Sequence, residues 1–241
     1  MQKKYCFPII KNKKNDVLEA IRINTNEYSY FEVWLDYIDD LDETFIKQLM
    51  ELLGEKLILI FRRQNLEKVK MAIEKRISII SLLKNSHSFL DLDVFDQKED
   101  LDYIQNNKLM VSLIVSYHNY KETPDNEKLK EIFSIMDKYK PMIYKISTMC
   151  NIQSDAVRLL ELLLQLKERG LGYIVLGMGE FGTITRIFGT LWGNEMIFAP
   201  KISTEQSAPG QLTRSQLEVI FRELTLHTVI PSEARDLLHL R

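Results

Sequence analysis

The feature that most constrains this chain is an alternation that runs almost its full length. Short runs rich in apolar, β-branched and aromatic residues are each followed by a longer amphipathic stretch. Eight such runs fall at about residues 5–10, 31–37, 56–62, 89–94, 110–118, 143–147, 173–178 and 195–200. Between them, segments such as 42–53, 66–77, 127–138 and 155–167 carry apolar residues at three- and four-residue spacing, with charges elsewhere. That is the period of a helix with one buried face. Strand, helix and parallel strand make a βαβ unit, and eight units in series predict a closed (β/α)8 TIM barrel of class α/β rather than an open sheet. At 241 residues and 45% hydrophobic, the chain has the length of one barrel and the apolar side chains to fill it. The expected single domain is 1–224, ending in a helix over 217–224, with 225–241 a C-terminal tail of no strong periodicity.

Charge and cysteine content narrow the function classes. Lys and Arg total 32 against 34 Asp and Glu, a formal net charge of -2. No basic field is available to draw in a phosphate backbone, so nucleic acid is not expected as a partner. The two cysteines, Cys6 and Cys150, lie far apart without the spacing of a metal or redox pair. They read as free buried thiols in a reducing cytoplasm. The opening MQKKYCFPIIKNKKND has an apolar stretch too short, and too soon interrupted by Pro8 and lysines, for a secretion signal. No run is long enough to span a bilayer, so no membrane partner and a cytoplasmic location are expected.

In a (β/α)8 barrel, chemistry gathers at the C-terminal ends of the strands. Arg62, His118 and Lys145 are placed at or near such ends, and Glu32 within its strand. Lys145, in IYKIS, has an apolar residue on each side, so its ammonium is expected to point into the barrel mouth. Desolvation lowers a lysine pKa, and a neutral amine attacks a ketone to form an iminium. On position alone, a lysine snorkelling from a strand end is the commoner case. His118, in VSYHNYKETP, titrates near neutral pH and suits proton transfer at a carbon beside an iminium, although a lone histidine is more often structural. Arg186 follows GMGEFGTIT and offers a two-pronged grip for a carboxylate. Gly179 and Gly182 allow a tight turn there. Gly177, Gly179 and Gly182 make only an incomplete nucleotide-binding pattern, with no ribose-binding acid at the expected distance.

Taken together, SYHNYKETP at 116–124, YKISTM at 144–149, GMGEFGTITRIFG at 177–189 and SAPGQL at 207–212 resemble, in order and spacing, the type I 3-dehydroquinate dehydratases. The resemblance runs from Glu32 to about Gln211. It implies a lyase of the shikimate pathway that converts 3-dehydroquinate to 3-dehydroshikimate without a metal or organic cofactor. By similarity, Lys145 forms the imine with the substrate ketone and His118 moves protons. Arg186 holds the substrate carboxylate, and Ser207 and Gln211 come from a loop that closes over it. Glu32 and Arg62 match positions that contact substrate hydroxyls, and Met178 matches an apolar wall. Such barrels are often homodimers.

Two positions depart from the family pattern. Where the family usually has Glu-Trp-Arg, this chain has Glu32-Val33-Trp34, so Trp34 stands in place of an arginine. Where a glutamate usually orients the histidine, FRRQNLE places Leu66, with Gln64 and Glu67 the nearest polar side chains. These substitutions keep three readings in play: the dehydratase, slowed or altered in preference; another lysine-iminium barrel enzyme of the class I aldolase kind; and a barrel kept for binding without catalysis. Retention of Lys145, His118, Arg186, Ser207 and Gln211 favours the first.

Overall fold

The computed structural model describes residues 3–226. Of the expected tail, residues 227–241 lie outside the described residues. Eight strands form, β1 (Tyr5–Ile9), β2 (Tyr30–Trp34), β3 (Leu57–Ile60), β4 (Phe89–Asp93), β5 (Ser112–Asn119), β6 (Ile143–Met149), β7 (Tyr173–Met178) and β8 (Ile197–Phe198). They alternate with helices α1 (Lys14–Asn24), α2 (Glu43–Leu53), α3 (Ile73–Leu82), α4 (Lys98–Asn106), α5 (Asn126–Asp137), α6 (Gln153–Glu168), α7 (Gly179–Trp192) and α8 (Arg214–Leu226). Every strand pair is parallel, and the sheet runs β7-β6-β5-β4-β3-β2-β1-β8. This is the (β/α)8 architecture that the alternation predicts.

The seam between β7 and β8 is joined by other means. β8 has only two residues and pairs with β1. Glu195 N donates to Tyr173 O at 2.9 Å. The Asn194 amide receives Val175 N at 2.9 Å and donates back to Val175 O at 3.0 Å. One side chain thus does for β7 what a longer β8 would do with backbone.

Strand alternation sorts the side chains into two cores. Phe31, Val33, Leu57, Leu59, Leu90, Leu92, Val115, Tyr144, Ile146 and Val175 face outward and pack under the helices. Cys6, Ile58, Ile60, Ile114, Ile143, Ile174, Leu176 and Phe198 fill the barrel axis. Because the register is fixed, the polar residues that share the inward parity are forced toward that axis as well. Glu32, Asp91, Asp93, Ser116, His118, Lys145 and Ser147 are all buried.

Three local expectations need correction. The helix expected over 66–77 starts seven residues later, at Ile73. Asn65 and Leu66 both take φ of 56°, which no α-helix accommodates. The Asp36 carboxylate also captures Lys70 N and Met71 N at 2.7–3.0 Å, holding the segment as a loop. Second, Gly182 makes no turn but lies inside α7, where a Cβ would meet Gly177 C at 2.4 Å, so it permits close helix–strand contact. Only Gly179, at φ 76°, serves the turn. Third, β6 runs on to Met149, so Lys145 is its third residue of seven and sits deeper than a strand end.

Candidate active site

A barrel interior is built in layers, each from alternate strands. One layer here comes from the even strands: Glu32 on β2, Asp91 on β4, Lys145 on β6 and Phe198 on β8. Lys145 Nζ donates to Asp91 Oδ2 at 2.6 Å and to Glu32 Oε1 at 3.1 Å, and lies 4.2 Å from the Phe198 ring centroid. Burial alone would push the lysine pKa down, but Asp91 and then Glu32 outweigh it and raise it. The lowering expected from desolvation is therefore outweighed, and the two carboxylates hold Lys145 as an ammonium. Asp91 is fully buried, yet Lys145 and Arg62 overcome that burial and hold its carboxyl well below the usual range.

Just above, His118 on β5 is gripped from both sides. Its Nδ1 is 3.0 Å from Asp93 Oδ2 and its Nε2 is 2.8 Å from Arg62 Nη1. Asp93 Oδ2 also accepts His118 N at 3.0 Å. Arg62 follows β3 and spends its other terminal nitrogen on Asp91 Oδ1 and Ser116 Oγ, both at 2.8 Å. Burial and the neighbouring Arg62 push the histidine down to about 4, against the pull of Asp93. An imidazole so placed is neutral at physiological pH, with the Nε2 lone pair turned to Arg62.

Arg186 differs from the other buried cations. It is 2% exposed, its Nε has no partner, and among the described residues its guanidinium makes one hydrogen bond, from Nη2 to Pro209 O at 3.4 Å. No carboxylate among the described residues pairs with it, and burial lowers its pKa to about 10. A desolvated guanidinium left without a counter-ion is a receptor for an external anion.

The loop after β8 covers this group. Gln211 Nε2 donates to Ser207 Oγ, and Ser207 N to Gln211 Oε1, each at 2.8 Å. Gln64 Nε2 reaches Gln206 O at 3.4 Å from the loop after β3. The cavity beneath is about 30 Å³, walled by Glu32, Trp34, Arg62, His118, Lys145, Leu176, Arg186, Phe198, Ser207 and Gln211 among others. That is room for no more than a few waters.

Of the residues singled out by sequence, Glu32, Arg62, His118, Lys145, Arg186, Ser207 and Gln211 thus share one cavity. Met178 does not line it: the residue is the last of β7, where the chain turns into α7, and Leu176, two residues earlier on the same face, forms the wall. Trp34 does line it, but its Nε1 is committed to Glu32 Oε2 at 2.8 Å. Leu66 lies in a left-handed turn and offers no polar atom. Gln64 and Glu67 serve Gln206 and Arg63 rather than His118. Sequence reasoning missed Asp91, Asp93 and Ser116. The signal was there in FLDLD, where two acids occupy the inward positions of an otherwise apolar strand. Among the described residues no helix is long and apolar enough to cross a membrane, and no three His, Cys, Asp or Glu side chains are grouped to hold a metal ion.

Comparison with known proteins agrees with this geometry. The family model described as Type I 3-dehydroquinase matches residues 5–227. The 3-dehydroquinate dehydratase of Alkaliphilus oremlandii is 28% identical, over 94% of this chain and 93% of its own. That of Methanococcus vannielii is 29% identical, over 89% of this chain and 97% of its own. The crystal structure of 3-dehydroquinate dehydratase from Geobacillus kaustophilus HTA426 superposes with a TM-score of 0.79 at 20% identity, covering 95% of this chain and 93% of that one. At that identity it speaks for the fold.

Proposed function

Because the chain belongs to the type I 3-dehydroquinase family, a family of hydro-lyases, we propose that it dehydrates 3-dehydroquinate to 3-dehydroshikimate through an iminium on Lys145, with His118 moving the protons. The observation that carries this reading is the sharing of one cavity by Lys145, His118 and the unpaired Arg186. Arg186 takes the substrate carboxylate with two parallel hydrogen bonds. Glu32, Arg62, Ser207 and Gln211 meet the ring hydroxyls and close over them.

Lys145 begins as an ammonium against Asp91, 2.6 Å away. It lends a proton to that carboxylate and attacks the ketone carbon, and the carbonyl oxygen leaves as water carrying the proton back. Ammonium plus ketone gives iminium plus water with no net proton change. The iminium draws electrons from the neighbouring C–H bond, so that the weak base at His118 Nε2 suffices to take its proton and leave an enamine. The enamine expels the hydroxyl on the next carbon, and His118 returns the proton to it, releasing the second water. One water then hydrolyses the conjugated iminium and restores the Lys145 ammonium. Two waters are released and one is consumed, so the substrate loses one.

The fixed dipoles and charges around Lys145 are in place before the substrate arrives, which is where most of such catalysis resides. A loop closed over the cavity protects the imine from early hydrolysis. The direct test is to supply 3-dehydroquinate and follow the ultraviolet absorbance of the conjugated product. A steady gain with the wild-type chain that is lost in Lys145→Met supports the reading, and no gain at high enzyme concentration contradicts it.

A further inference from the structure

A histidine that trades protons with a substrate needs one nitrogen bare and the other held. Leu66, at the position where a carboxylate is expected by resemblance, cannot hold it. The grip instead comes from β4. Asp93 is 2% exposed and its side chain is saturated. Oδ2 accepts His118 N and faces His118 Nδ1, both at 3.0 Å, while Oδ1 accepts Phe95 N at 3.0 Å and Asp96 N at 3.2 Å. Its own backbone N donates to Gln97 Oε1 at 2.9 Å. A carboxylate pinned at both oxygens cannot swing, so the imidazole it meets cannot swing either.

The protonation pattern follows from donor and acceptor chemistry alone. A guanidinium has only N–H donors, so His118 Nε2, 2.8 Å from Arg62 Nη1, must present its lone pair. The proton of a neutral ring then sits on Nδ1, where the ionised Asp93 accepts it.

We infer that Asp93 is the positioning residue for His118 in this chain, supplied from the neighbouring strand in place of a side chain at position 66, and that it fixes the Nδ1–H form with Nε2 as the working base. When a substrate draws Arg62 away, Asp93 still dictates which nitrogen is bare. The loss at Leu66 is thereby made good within the strand pair β4–β5, where Asp93 lies opposite Ser116, two residues before His118.

The inference rests on the reading of His118 as the acid–base group, but its test is read without turnover. Nitrogen NMR of the full chain with labelled histidine reports which ring nitrogen of His118 bears the proton at neutral pH, with His118→Gln used to assign the signal. A single Nδ1–H form is expected, and an Nε2–H form overturns the assignment whether or not the chain consumes 3-dehydroquinate. Absence of turnover with the Nδ1–H form present counts against the proposed reaction and leaves Asp93 in its role. The variant Asp93→Asn gives the second reading, because an amide can donate to Nδ1 and favour the opposite form. The expected result is a fall of about 10- to 100-fold in kcat with KM within about threefold, and a mixed or inverted His118 signal. A folded Asp93→Asn chain with wild-type kcat and an unchanged His118 signal refutes it.

Discussion

Lys145→Met is the most informative single perturbation, because the structure assigns Lys145 a charge as well as a place. Methionine roughly matches the aliphatic stem, so little packing is lost. What disappears is one cation between two buried carboxylates at 2.6 and 3.1 Å. At an effective dielectric of about 20, those distances correspond to gross attractions of about 6 and about 5 kcal/mol, against several kcal/mol for stripping the ammonium of water. Asp91 keeps its hydrogen bonds to Arg62 and Ser116, whereas Glu32 keeps the hydrogen bond of the Trp34 indole N–H and only the more distant field of Arg62. The less compensated charge is therefore on Glu32. Breaking a buried pair in this way costs about 3–5 kcal/mol, or roughly 10 °C in Tm for a chain of this size. Adding Glu32→Gln to Lys145→Met removes the orphan charge and should recover about 1–3 kcal/mol at neutral pH. Urea titrations of the wild type, both single variants and the double variant measure all four corners. If Lys145→Met is as stable as wild type at neutral pH, or if Glu32→Gln recovers nothing, Lys145 is not the ammonium described above.

Two further outcomes follow from the same geometry. His118 titrates near 6.5 when unfolded and about 4 when folded, so the folded state resists its protonation. Stability from this source is intact above the unfolded value and falls by roughly 3 kcal/mol as pH drops from 6.5 to 4; His118→Gln should flatten that portion of the stability–pH curve. The lowered Asp91 and Asp93 add their losses only below their unfolded values, near pH 4. An identical slope in His118→Gln would show that His118 is not buried neutral. At the anion receptor, Arg186→Ala should cut kcat/KM by about 100-fold or more, with Arg186→Lys between it and wild type because an ammonium lacks the planar fork. A change within about threefold for Arg186→Ala would mean that the carboxylate binds elsewhere.

The barrel was legible because period-two and period-3.6 patterns are set by the same burial that builds it. The residues on the axis were legible only in part. Lys145 and His118 stand out against apolar neighbours, but their pairing depends on which strands share a layer, and that requires the register. Glu32, Asp91 and Lys145 are 54 to 113 positions apart and meet only because even strands alternate around the barrel. The direction of the shift at Lys145 was misread for the same reason: desolvation is readable from a sequence, whereas a carboxylate arriving from β4 is not. The loop over 64–72 resisted prediction because its apolar spacing mimics a helix, while Asp36, from the turn after β2, intercepts its backbone donors. Met178 and Leu176 share a face, and only the turn into α7 decides which one reaches the cavity.

The central claim is a covalent bond between Lys145 and the substrate. Borohydride added during turnover of 3-dehydroquinate reduces an iminium to a stable secondary amine, and peptide mass spectrometry locates it. The account predicts one reduced adduct per chain, on Lys145, absent without borohydride and absent in Lys145→Met. Formation of conjugated product with no adduct on Lys145, or with the adduct on another lysine, would contradict it.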